Sequence, residues 1–186
     1  MFRPTAASTT RAVPVRCAIV TAVEIRPTRF GAPAAQRMVA AAQEELTQRY
    51  GSGDANPIEA VQFDPPEGGF VVAWLDGRPV GCGGWRTISH WTEPAADWTE
   101  QVGVDDVAEI KRMYVSAEAR NAGVATAILK ALEDSARASG MRRMILETGL
   151  AQPEAIALYS KLGYEKIPNY GHYRDEPDCV SFGRDL

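Results

Sequence analysis

Between Ala108 and Gly163 the sequence runs through four segments of alternating period, and few folds accommodate that alternation. AEIKRMYV (108 to 115) reads as a strand, Gly123 to Ser139 as a helix stopped by Gly140, RRMILET (142 to 148) as a strand, and Pro153 to Leu162 as a helix stopped by Gly163. Ahead of this block, GFVVAWL and RPVGCGGW are β-branched and aromatic runs joined by Asp76-Gly77, whose backbones take the positive φ values of a tight hairpin turn. A helix with apolar positions at Met38, Ala41, Ala42, Leu46 and Tyr50 comes before the hairpin, and residues 52 to 68 read as a loop with a short turn near PIEAV. CAIVTAV (17 to 23) reads as a first strand and DCVSFGRDL as the last. The order predicts an α/β fold: a mixed sheet in one layer, with helices on its faces.

A chain of 186 residues, 45% hydrophobic and 24% charged, fits one domain, placed here at residues 17 to 186. The first sixteen residues hold three Arg, no acid and many Ser, Thr, Ala and Pro, the composition of a disordered tail. A net charge of −4 gives no reason to expect a nucleic-acid partner, and no apolar run approaches the length of a membrane helix. Three cysteines without CxxC or Cys/His spacing, and two distant histidines, indicate neither a disulfide framework nor a metal site. Reduced thiols of a cytoplasmic protein are the simplest reading. Oligomeric state, a homodimer included, is left open.

The strand 108 to 115 alternates poorly: neither Ala108, Ile110, Arg112 and Tyr114 nor Glu109, Lys111, Met113 and Val115 makes an apolar face. A β-bulge near Lys111 to Met113 would bring Ile110, Met113 and Val115 into agreement, and would free backbone groups for a ligand. After the strand, RNAGVA (120 to 125) enters a helix whose first N–H groups lack intrahelical partners and whose dipole is positive there. On the residues alone two readings stand. One is an ordinary helix entry with Asn121 as cap. The other is an anion cradle, in which Gly123 admits a phosphate to the main chain and Arg120 adds a charge-assisted fork. The segment is neither a P-loop nor a dinucleotide fingerprint.

Arg/Gln-x-x-Gly-x-Gly/Ala after a strand is the acetyl-coenzyme A signature of the GNAT superfamily of N-acetyltransferases. RNAGVA resembles it, as residues 108 to 167 resemble that family's core, and the likeness extends over about residues 22 to 186. It implies a twisted, mostly antiparallel mixed sheet of six to seven strands flanked by about four helices. It also implies acetyl-CoA as donor, no metal, and an amine as acceptor. Arg120, Asn121, Ala122, Gly123, Val124 and Ala125 would cradle the pyrophosphate, chiefly through main-chain N–H groups. Met113, Tyr114 and Val115 would lie along the pantetheine arm, Met113 and Val115 pairing with it as an added strand. An N–H at or near Met113 would polarise the thioester carbonyl. The family's pantetheine-binding Asn is replaced by Gln152. Tyr159 occupies the position whose hydroxyl protonates the departing thiolate, and Glu109 that of the base that deprotonates the amine; Tyr114 or Tyr170 could serve instead of Glu109.

Residues 90 to 110 hold six acids and no Lys or Arg, whereas 111 to 166 hold nine basic residues against six acidic ones. Trp91 and Trp98 interleave with the acidic stretch, and Tyr170, His172 and Tyr173 cluster before the last strand. Aromatic faces beside carboxylates favour ammonium groups. These features predict a small primary amine as acceptor. A protein N-terminus or lysine, and a non-catalytic acetyl-CoA sensor, stand as alternatives.

Overall fold

The computed structural model describes residues 22–89 and 104–186. The tail at 1 to 16, most of the CAIVTAV segment, Trp91 and Trp98 lie outside the described residues. Ala22 and Val23 are not strand, and β1 is instead Glu24–Pro27. It is followed by α1 (Pro33–Tyr50), β2 (Gly68–Leu75), β3 (Arg78–Thr87), β4 (Val107–Val115) and α2 (Val124–Ala138). Next come β5 (Arg143–Gly149), α3 (Pro153–Lys161), β6 (Glu165–Ile167) and β7 (Cys179–Asp185). The seven strands form one mixed sheet in the order β1-β2-β3-β4-β5-β7-β6, in which only β4 and β5 run parallel. Three α-helices are present among the described residues.

Local chemistry explains the boundaries. α1 starts on Pro33 and ends at Gly51, a left-handed residue whose N–H donates to the Thr47 carbonyl. Asp76 and Gly77 both take positive φ (50° and 74°), the geometry that matches the twist of the β2–β3 hairpin. α2 buries Val124, Ile128, Leu129, Leu132 and Ala136, a stripe at helical spacing. That stripe packs with Trp85, Ile110, Met144, Leu146 and Phe182 of the sheet and with Tyr159 of α3. On the opposite face Phe30, Phe63 and Phe70 meet edge-on or stacked beneath α1. β3 is rich in glycine where both faces crowd it: a Cβ on Gly83 would stand 2.9 Å from Ile128, and one on Gly84 2.6 Å from Phe70.

The expected bulge is present. Cys82 pairs with Tyr114 and Gly84 with Lys111, so Gly83 alone faces Arg112 and Met113, and Arg112 takes φ 57°. The extra residue resets the alternation, and Ile110, Met113 and Val115 then share the core under α2 while Tyr114 faces the cluster under α1. The Arg112 carbonyl accepts the Cys82 thiol (3.2 Å), and its guanidinium pairs with Asp54 and donates to the Asn56 carbonyl (3.1 Å).

Candidate functional site

β4 and β5 pair only from Val107–Arg143 to Glu109–Ile145 and then part. Into the gap opens a cleft of about 490 Å³, lined by Ile110 to Tyr114 of β4, Leu146 to Gly149 of β5 and the inner side of α1. Parallel strands that separate leave unpaired main-chain edges, which an extended ligand can complete. α1 is tied across the mouth by Arg49, which donates to the Ala151 carbonyl (2.7 Å) and pairs with Glu45 and Glu154.

The turn at the C-terminal end of β4 resolves one of the two sequence readings. The N-cap of α2 is Gly123 (φ 78°), not Asn121, and no side chain caps the helix. Asn121 also takes a left-handed φ of 63° and is exposed. Residues 120 to 123 form a turn, but no main-chain N–H from Asn121 to Thr126 makes a hydrogen bond of ordinary length and angle to an acceptor among the described residues; the first to do so is Ala127, to the Gly123 carbonyl. A Cβ on Gly123 would meet nothing within 4 Å, so the space over these donors is open. Clustered N–H groups at the positive end of a fifteen-residue helix are an arrangement that can hold an anion. The Arg120 side chain does not join them: it pairs with Glu45 (2.5 Å) and donates to the Val115 carbonyl (3.2 Å).

Tyr159 of α3 lines the cleft, 6% exposed, and its hydroxyl donates to Met113 Sδ at 3.4 Å. Burial raises its pKa well above that of free tyrosine, so the hydroxyl stays protonated, and its thioether partner is a weak acceptor that an anion would displace. Gln152 lines the same cleft at the N-cap of α3, its side-chain oxygen 3.3 Å from the Thr148 hydroxyl. The splayed strands therefore bring together Met113, Tyr114, Gln152 and Tyr159.

Glu109 stands apart. It is fully buried, does not line the cleft, and is held by Arg86 and Lys111, each at 2.9 Å. Lys111 continues the chain to Glu147 at 2.8 Å. Burial opposes the charge on Lys111, but the two carboxylates outweigh it and raise its pKa. Tyr170 is also buried, packing with Ile88, Val107 and Ile145 beneath the sheet, not in the cleft wall. Tyr173 does line the cleft: its hydroxyl donates to Asp54 (2.8 Å) and accepts the Ala55 N–H (2.7 Å). His172 is exposed and edge-on to Tyr173. The residues that sequence reasoning missed are the partners of these groups. Arg86 lies directly across from Glu109 in the β3–β4 register, a cross-strand opposite-charge pair that is visible only once that register is known.

Known proteins resemble this chain in sequence and in fold. The profile of the Acetyltransferase (GNAT) family matches residues 16–164. An "IAA acetyltransferase" of Azospirillum brasilense is 36% identical over 140 residues, covering 72% of this chain and 81% of that protein. Among solved structures, the GNAT domain of S. lividans PAT superposes with a TM-score of 0.64 at 21% identity, covering 91% of this chain and 98% of that one. A GNAT family acetyltransferase from Elizabethkingia anophelis, solved with acetyl-CoA bound, superposes at 0.57 and 17% identity, covering 88% and 98%. The structural likenesses speak to the fold.

Proposed function

Since this chain belongs to the GNAT acetyltransferase family, we propose that it moves the acetyl group of acetyl-CoA onto the primary amine of a small cationic substrate by direct attack. The observation that carries the reading is the conjunction of the open N–H cradle at Asn121 to Thr126 with the Tyr159 hydroxyl beside Met113, at two points of one splayed strand pair. The main-chain N–H groups from Asn121 through Ala125 hold the pyrophosphate, and Arg120 adds its charge once it leaves Glu45. Met113 and Val115 offer backbone edges to the pantetheine arm, and Gln152 stands at its other side. The donor supplies a thioester carbonyl. A main-chain N–H at or near Met113 polarises that carbonyl, and Tyr159 protonates the leaving thiolate.

An ammonium acceptor is favoured by the acids around the cleft, Glu147, Glu176 and Asp178 among them. A thiol-release assay with acetyl-CoA across a library of amines, amino sugars, amino acids and peptides tests this. Release with small amines is the expected result. Release confined to peptides would move the acceptor to a protein terminus or lysine, and binding without release would mark a sensor.

A further inference from the structure

We propose that Glu147, not Glu109, is the group that receives the acceptor's ammonium and removes its proton; this rests on the transfer reading above. Both carboxylates belong to one buried network, Arg86–Glu109–Lys111–Glu147, but they occupy different places in it. Glu109 is fully buried between the Arg86 and Lys111 cations and does not line the cleft. Glu147 lies where β5 has already parted from β4, and its side chain lines the cavity that also holds Tyr159, Met113 and Gln152. Its side chain is 6% exposed, and only one of its oxygens is engaged, Oε2 by Lys111. Oε1 is buried without a hydrogen-bond partner.

A buried carboxylate oxygen without a donor is costly, and an N–H donor supplied by a ligand removes that cost. The ligand it favours is cationic. Glu176 and Asp178, exposed on the segment before β7, line the same cleft and extend its negative potential to solvent. A primary ammonium drawn inward along these acids ends at Oε1.

The groups acting on Glu147 from neighbouring elements fit a base. Lys111 of β4 favours its charged form, Glu109 opposes it, and the Tyr173 main chain also favours it. The Tyr170 hydroxyl and the Cys179 thiol of β7 also lie within its field. Burial is the largest influence, and the pKa is raised from the ordinary carboxylate value. A raised carboxylate pKa narrows the gap to an alkylamine and strengthens the base.

The step balances. The ammonium gives one proton to Glu147, and the freed nitrogen lone pair attacks the thioester carbonyl carbon. As the tetrahedral centre collapses, the carbon–sulfur bond breaks and Tyr159 protonates the thiolate. The attacking nitrogen sheds its second proton as the centre collapses, and that proton replaces the one Tyr159 gave to sulfur. The products are an acetamide and free coenzyme A, and the one net proton, held on Glu147, returns to solvent.

The test uses the full-length protein, acetyl-CoA, and the best amine from the library. kcat and kcat/KM are followed against pH for the wild type, Glu147→Gln, Glu147→Asp and Glu109→Gln, with acetyl-CoA binding and thermal melting measured alongside. Glu147→Gln is expected to lower kcat ~10²-fold at neutral pH and to abolish the acidic limb of kcat/KM while leaving acetyl-CoA affinity within about twofold. Its deficit should shrink toward pH ~10, where the amine deprotonates itself. Glu147→Asp, which keeps the charge beside Lys111, should retain a displaced acidic limb and part of the turnover. An unchanged acidic limb in Glu147→Gln, an equal loss at every pH, or an acidic limb abolished by Glu109→Gln alone would each overturn the assignment. A wild type that acetylates no amine overturns the transfer reading and this base with it, a failure visible before any substitution is made.

Discussion

The two halves of β4 belong to one nine-residue strand and meet opposite fates. Val107, Ala108 and Glu109 pair with β5 on one side, Ala108 to Lys111 pair with β3 on the other, and no residue from Val107 to Ile110 is more than 4% exposed. Met113, Tyr114 and Val115 lie past the bulge, are half-buried, and have no β5 pairing. A single extra residue separates the two regimes. Holding Arg112 at φ 57° costs roughly 1–2 kcal/mol, offset by the contacts of its side chain and carbonyl with Asp54, Asn56 and Cys82. The difference teaches that one strand can be both core and binding edge, provided the bulge lies where the neighbouring strand leaves it.

If that division is real, equivalent truncations on either side must be felt differently. Ile110→Ala removes a buried side chain from the closed half and should cost about 2–5 kcal/mol in chemical denaturation. Met113→Ala, past the bulge and partly exposed, should cost less than about 2 kcal/mol while changing the KM for the donor. Equal stability losses at the two positions would break the comparison. Tyr159→Phe sharpens it from the other wall of the cleft. Losing the proton donor should lower turnover ~10²-fold, with melting nearly unchanged because the hydroxyl's hydrogen bond is to a thioether.

The same division decides what could be read from the chain itself. AEIKRMYV announced its bulge because a regular strand would have left both of its faces mixed, and the register skip falls at Arg112 and Met113, within the expected stretch. Asp76-Gly77 and the glycines after the helices were equally legible, since only a few residues tolerate left-handed φ. β6 was not: three residues, Glu165 to Ile167, count as strand only because β7 pairs with them. Glu109 shows the sharper limit. A glutamate in a strand carries no mark of whether it faces a cleft or a cation, and its neighbours Arg86 and Lys111 become visible only through the register. Tyr170 was ambiguous for a related reason, because an aromatic next to polar loop residues fits a ligand wall and a core equally well until its burial with Ile145 and Val107 is seen. For Glu147, RRMILET gave the strand, but its point of departure from β4 is a tertiary fact.

Beyond the strand, the cradle should answer to its main chain more than to its charged side chain. Gly123→Val puts a β-branched residue at φ 78° and fills the open space above the N–H groups. Acetyl-CoA binding by calorimetry should weaken roughly tenfold or more, the cost of one or two lost charge-assisted hydrogen bonds, with the core intact.

The smallest expected effect comes from Glu45→Gln. Glu45 holds the Arg120 guanidinium at 2.5 Å, with side-chain exposures of 35% for Arg120 and 25% for Glu45. To contribute to a bound pyrophosphate, Arg120 must exchange this carboxylate for phosphate oxygens, so the pair opposes donor binding by what it is worth. Partly exposed pairs are worth up to about 1 kcal/mol, so removing the Glu45 charge should tighten acetyl-CoA binding by no more than about fivefold. Added salt should shrink even that gain, since exposed charges are screened over ~8–10 Å at moderate ionic strength. A tightening far beyond this range, or one indifferent to salt, would mean that Arg120 and not the row of N–H groups dominates the grip on the donor, and the ranking of main chain over side chain would be reversed.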